Sequence, residues 1–133
     1  MASELRVNTL KDASGNNSVG MSFVAEGTAK AWLNLNGSGT IAVRDSFNVS
    51  GVTDVSTGIY TTAFSSSFGN ANYSHSHTNI TNVNFIGGTV DNDYVQATGS
   101  IKQRNADWTG TASDNASTND SLYFHIQEFG DLA

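Results

Sequence analysis

The sequence predicts an all-β chain, and three observations carry that prediction. The hydrophobic pattern alternates with period two over most of the 133 residues. Thirteen glycines and no prolines leave the turns to Gly, Asn and Asp. Only 14% of the residues are charged, against roughly 25% in an ordinary soluble domain. Ser, Thr and Asn take the place of the missing charges. Their short side chains compete with helical backbone hydrogen bonds and suit turns and strand faces.

Composition also bounds function. The net charge is −6, with six Lys and Arg against twelve Asp and Glu, so phosphate is repelled and neither a nucleic-acid partner nor a basic membrane patch is expected. There is no Cys, hence no disulfide framework and no thiolate site. No apolar run is long enough to span a bilayer, and "MASELRVNTLKD" carries no apolar signal core, so Sec export is not expected. The length fits one domain.

Taken in order, residues 1–27 read as an extended arm. "ELRVNTL" alternates, and the polar "KDASGNNSVG" follows it. One isolated strand cannot bury its own apolar face, so Leu5, Val7 and Leu10 are expected to find cover on a neighbour. The body, residues 28–133, opens with "AKAWLNLNGSGTIAVRDSFNVSG". Two strands meet at a glycine turn there and run into a third, with Ala31, Leu33 and Leu35 on one face and Trp32 on the other. "IYTTAF" puts Tyr60, Thr62 and Phe64 together. "NYSHSHTNI" sets Tyr73, His75 and His77 against Ser74, Ser76 and Thr78. Val83 and Phe85 share a face. "YVQATGSIKQ" reads as one strand with Val95, Ala97, Gly99 and Ile101 aligned. In "SLYFHIQEF", Leu122, Phe124 and Ile126 oppose Tyr123, His125 and Gln127. Strands at this spacing are the rhythm of a sandwich or barrel. Residues 107–121 form a polar loop, and no stretch holds a 3.6-residue period for three turns.

Three segments carry a resemblance. "SELRVNTLKDASGNN", "AKAWLNLNGSGTIAVRDSFNVSGVTDVSTGIYTTAF" with "GNANYSHS", and the terminal "HIQEFGD" resemble the tail-fibre and other virion structural proteins of marine bacteriophages, cyanophages included. The likeness runs over nearly the whole chain and is weakest over about 78–120. It implies a single antiparallel β-sandwich, jelly-roll-like, with an N-terminal anchor arm, assembled as a homotrimer on the virion after synthesis in the host cytoplasm. It implies virion assembly and host adsorption, with other virion proteins and a host cell-surface glycan or receptor as partners, and no enzymatic residues. Capsid decoration, as a head fibre or cement protein, is the alternative; a carbohydrate-binding module is a third.

Candidate chemistry is sparse. His75 and His77 lie two apart on a strand and so share a face, where two neutral imidazoles suit a metal ion; a threefold axis would gather three such pairs. The competing expectation is two surface or interface histidines. No other cofactor is expected. Asp91 and Asp93 in "VDNDY" form the nearest carboxylate pair for glycoside hydrolysis, yet read first as turn residues and second as an incomplete calcium loop; Asp114, Asn115 and Asp120 read the same way. Trp108, Tyr94 and Tyr123 are the candidate receptor-facing aromatics. Arg44 and Asp45 are expected to fix a strand end. No nucleophile elbow, Walker loop or dinucleotide fingerprint is present, so catalysis is not expected.

Overall fold

The structure is a computed structural model and describes residues 3–80, 85–86, 94–107 and 117–133. In chain order its elements are β1 (Thr9–Lys11), β2 (Ser18–Gly20), α1 (Met21–Gly27), β3 (Ala31–Asn36), β4 (Ala42–Phe47), β5 (Val49–Ser56), β6 (Ile59–Phe64), β7 (Ser74–Ile80), β8 (Phe85–Ile86), β9 (Val95–Ala97), β10 (Ser100–Arg104), β11 (Ala106–Asp107), β12 (Ser117–Thr118) and β13 (Tyr123–Phe129). One sheet has the order β5-β6-β10-β9 and the other β4-β3-β13-β7-β8, with every pairing antiparallel. The sheets pack together, which matches a β-sandwich.

Alternation explains the packing. Ala31, Leu33 and Leu35 of β3 and Phe124 and Ile126 of β13 point inward from one sheet. Tyr60 and Phe64 of β6 and Ile101 of β10 meet them from the other, and Phe68 and Tyr73 close the end of the layer. The rings interlock: Phe68 stacks on Tyr73 at 4.1 Å, and Tyr60 meets Phe124 edge-on at 5.1 Å. Such pairs add about 0.5–1.5 kcal/mol each beyond the area they bury.

The chain changes sheets between β4 and β5. Asn48 makes the corner with a φ of 55°, in the left-handed region that Asn tolerates better than most residues. A bulge breaks the β3–β4 register at Asn34/Leu35. Arg44 donates to the Leu35 carbonyl at 3.0 Å, and the Asp45 carboxylate accepts from the Ser46 amide. The expected pinning of this strand thus runs through the backbone.

Three sequence readings need correction. "YVQATGSIKQ" is a hairpin rather than one strand: β9 ends at Ala97, the chain turns at Thr98 and Gly99, and β10 returns along it. The arm is not one continuous strand either. Its ladder-bonded residues are Thr9–Lys11, and they pair within the arm itself to β2. The Asp12 carboxylate ties that turn by accepting from the Asn16 amide and the Asn17 side chain, which holds its carboxyl below the usual range. Third, a helix of seven residues follows where none was expected. It is under two turns long, buries no residue and has no side-chain cap, so it leaves no periodic trace in the sequence. Val83 lies outside the described residues, as does the interior of the 107–121 loop, whose ends form the β11–β12 pair.

Candidate functional site

The sandwich interior divides into an apolar half and a polar half. Alternation along β7 sends Tyr73, His75, His77 and Asn79 inward, while Ser74, Ser76, Thr78 and Ile80 face out. Register then selects their neighbours. His75 lies opposite Glu128 of β13 and His77 opposite Ile126. Glu128 continues the inward face of Phe124 and Ile126 and is fully buried. From the other sheet, β10 points Gln103 inward and β6 points Thr62 inward, both fully buried.

Glu128, His75 and Gln103 form a linear relay. His75 Nδ1 lies 2.7 Å from Glu128 Oε1, and His75 Nε2 lies 2.6 Å from Gln103 Nε2. The amide nitrogen can only donate, so Nε2 holds the lone pair and Nδ1 carries the proton that Glu128 accepts. Burial raises the Glu128 carboxyl above its ordinary value, and the bond from His75 offsets part of that rise. His77 stacks beside His75 with its pKa pushed down to about 4, first by burial and then by its neighbour. Tyr73 and Tyr94 flank the pair. Burial raises both hydroxyls, and Glu128 raises them further.

Several atoms in this layer are buried without a hydrogen-bond partner: Glu128 Oε2, Gln103 Oε1, Thr62 Oγ1, His77 Nε2 and the side-chain amide of Asn79. Each such group costs about 1–3 kcal/mol, so the polar layer is expensive and its retention calls for a reason.

The sequence-derived candidates fare unevenly. His75 and His77 do share a face, with ring centroids 5.6 Å apart, but that face is the interior and not the surface. Both nitrogens of His75 are engaged, and among the described residues no group of three or more His, Asp or Glu is arranged to hold a metal ion. Tyr94 is not a surface aromatic: it is half-buried, bonds through its hydroxyl to Gln96 Oε1, and sets its ring 5.9 Å from His75. Tyr123 is exposed on the outer face, with the Arg44 guanidinium 4.3 Å above its ring. Trp108, Asp91, Asp93, Asp114 and Asn115 lie outside the described residues. Asp120 lies between β12 and β13, outside any assigned turn, and its Oδ1 accepts from the Gly58 amide and the Tyr60 hydroxyl. In the arm, Leu5 is 80% exposed, and Val7 and Leu10 are also exposed.

Sequence reasoning missed Glu128, Gln103 and Thr62 as a group. A signal was there. Counting by two from Phe124 and Ile126 arrives at Glu128, and from Ile101 at Gln103. A polar residue on an inward register position needs an internal partner.

Compared with known proteins, the chain matches no family model, no curated protein and no solved structure.

Proposed function

We propose that the chain is a bacteriophage virion structural protein, a small tail-fibre or appendage subunit whose jelly-roll-like body assembles as a homotrimer through its N-terminal arm. One observation carries the reading. The arm displays Leu5, Val7, Leu10, Val19 and Phe23 to solvent, with Phe23 76% exposed. Leu10 and Val19 face one another across the hairpin, so pairing satisfies the backbone yet leaves an apolar surface uncovered. That surface favours association. Glu128, Gln103 and Thr62 are fully buried, and the role assigned is assembly and adsorption. Three copies would also present the exposed Tyr123–Arg44 pair three times, where avidity multiplies a weak contact by about 10² to 10⁴.

Light scattering on the full chain tests this. A trimer that dissociates when Leu10, Val19 and Phe23 are replaced by Ser, with the circular dichroism of the body unchanged, is the expected result. A wild-type monomer at micromolar concentration refutes it. Immunogold labelling of particles then separates a tail location from capsid decoration.

A further inference from the structure

A cleft of about 470 Å³ opens where the arm meets the body, a size that suits a small-molecule site. The last turn of α1 brings Glu26 to it, the β6–β7 loop brings Asn70 and Asn72, and the end of β13 brings Phe129, Gly130 and Asp131. Alternation puts Phe129 there: Glu128 before it points inward, so Phe129 points outward, opposite Ser74 of β7. The body side of the cleft is held in shape. Asn70 Oδ1 accepts from the Asn72 amide at 2.8 Å, the Gly69 amide donates to the Asp131 carbonyl at 2.8 Å, and Phe68 bridges to Leu132. Gly130 runs so close to Tyr73 that a Cβ would come 2.7 Å from the tyrosine Cβ. On the arm side Lys30 is already engaged. Its Nζ donates to the Ala25 carbonyl and to the carbonyl and hydroxyl of Thr28, and its amide donates to the Glu128 carbonyl at 2.7 Å. The exposed carboxylates of Glu26 and Asp131 thus keep no ion-pair or hydrogen-bond partner among the described residues.

The lining decides what can enter. It holds two carboxylates and no cation, so phosphates, nucleotides and acidic sugars are repelled. An apolar ligand would strip water from the carboxylates and carboxamides and give them nothing in return. No group of three His, Asp or Glu gathers there to hold a metal ion, nor does one elsewhere among the described residues. A neutral polyhydroxylated ring meets every group. Each carboxylate can accept from two hydroxyls, Asn72 can donate and accept, and Asn70 can donate through Nδ2 while its oxygen holds the loop. Phe129, half-buried, can cover the C–H face of the ring. These groups are spread over three elements, as several hydroxyls require and a single ammonium does not. We propose that this cleft binds a neutral sugar residue of a host cell-surface glycan. The inference deepens the adsorption half of the proposed function and rests on it for the source of the sugar, but it does not rest on trimerisation. Because Glu26 belongs to the arm and Asp131 to the body, the bound sugar also ties one to the other.

Amide NMR titration of the full chain with the methyl glycosides of glucose, galactose, mannose and N-acetylglucosamine tests this. At least one should bind in the millimolar range and shift the amides of residues 70–74 and 129–131. Asp131→Ala, Asn72→Ala and Glu26→Ala should each weaken that binding by roughly tenfold, with the circular dichroism unchanged. No shift with any of the four sugars at tens of millimolar overturns the inference. So do shifts that map to the Arg44–Tyr123 face, or a titration that all three substitutions leave unchanged. Calcium chloride or an alkylammonium salt that perturbs the same amides more strongly than any sugar would make the cleft a cation site and overturn it equally. A monomer that binds sugar refutes the trimer and leaves the cleft standing; a trimer that binds none refutes the cleft alone.

Discussion

His75 and His77 stack in the sandwich interior with ring centroids 5.6 Å apart and planes within 10° of parallel. Burial makes His77 costly to charge, the His75 ring beside it adds to the penalty, and its Nε2 has no partner.

The first prediction concerns pH. His77 is neutral in the fold, with its pKa lowered from 6.5 to about 4. A base whose pKa is lower folded than unfolded contributes stability that is complete above the unfolded value and is lost as the pH falls through the folded one. His77 should therefore withdraw stability, on the order of 3 kcal/mol, between pH 6.5 and about 4. Glu128 acts in the opposite sense: burial raises its carboxyl, so its contribution fades as pH rises. The bare Tm profile mixes the two. Comparison with His77→Leu isolates the histidine, and the variant should gain on wild type steadily as the solution is acidified. A constant Tm difference across that window would refute the assignment.

A second prediction separates the worth of the His75–Glu128 pair from the cost of breaking it. The Glu128 side chain is wholly buried and that of His75 is 10% exposed. Removing one partner leaves the other unpaired in a low dielectric, at a cost of about 3–5 kcal/mol, whereas replacing both with apolar groups costs much less. His75→Leu should be strongly destabilising. Adding Glu128→Met should recover most of the loss. Urea midpoints at neutral pH measure the cycle; additive losses would show that the two side chains do not interact.

Much of this fold is legible in the sequence because the period-two pattern is strong where a strand has one buried face. The β3, β6 and β13 faces follow directly from Leu33, Tyr60 and Phe124 and their neighbours at two-residue spacing. Legibility fails where that signal fails. The Thr98–Gly99 turn interrupts a run whose alternation looks unbroken. Helix α1 is too short to show a period and too exposed to have a buried face. The relay illustrates the hardest case: His75, Gln103 and Glu128 lie on three strands, and only tertiary register brings them together. Alternation reveals which way each points but not what it meets.

Third, Gly58 should be far less replaceable than Gly39, a glycine with the same φ. It has a φ of 67°, and a Cβ there would lie 2.6 Å from the Asn119 carbonyl oxygen and 2.9 Å from its nitrogen. The surroundings cannot yield, because the Gly58 carbonyl accepts from the Asn105 amide at 2.6 Å and its own amide donates to Asp120 at 2.8 Å. Gly39 has the same φ of 67° with nothing within 4 Å. Gly39→Ala therefore reports conformational strain alone, about 1–2 kcal/mol, and Gly58→Ala reports strain plus collision. The expected Tm loss is at least twofold greater at Gly58. Equal losses would mean that the β5–β6 turn can move away from Asn119.

The last prediction concerns the corner where the chain leaves one sheet for the other. Asn48 holds a φ of 55°, and its side-chain amide reads the backbone of Ser66 from both sides. Oδ1 accepts from the Ser66 amide at 2.7 Å, while Nδ2 donates to the Ser66 carbonyl at 3.0 Å. The Asn48 carbonyl in turn accepts from the Ser65 amide at 3.2 Å. One residue thus performs two tasks, adopting a left-handed conformation and clamping the segment after β6. Substitution can divide them. Asn48→Gly keeps the conformation and loses two exposed hydrogen bonds, for about 1 kcal/mol in total. Asn48→Ala loses the same bonds and adds the cost of a Cβ at positive φ, about 1–2 kcal/mol more. Asn48→Asp retains the acceptor and loses the donor, so it should cost least. The expected order of urea midpoints is Asn, Asp, Gly, Ala from highest to lowest, with an unchanged m-value. If Ala matches Gly, the corner has relaxed out of the left-handed region, and the sheet crossover is held by the strands on either side and not by Asn48.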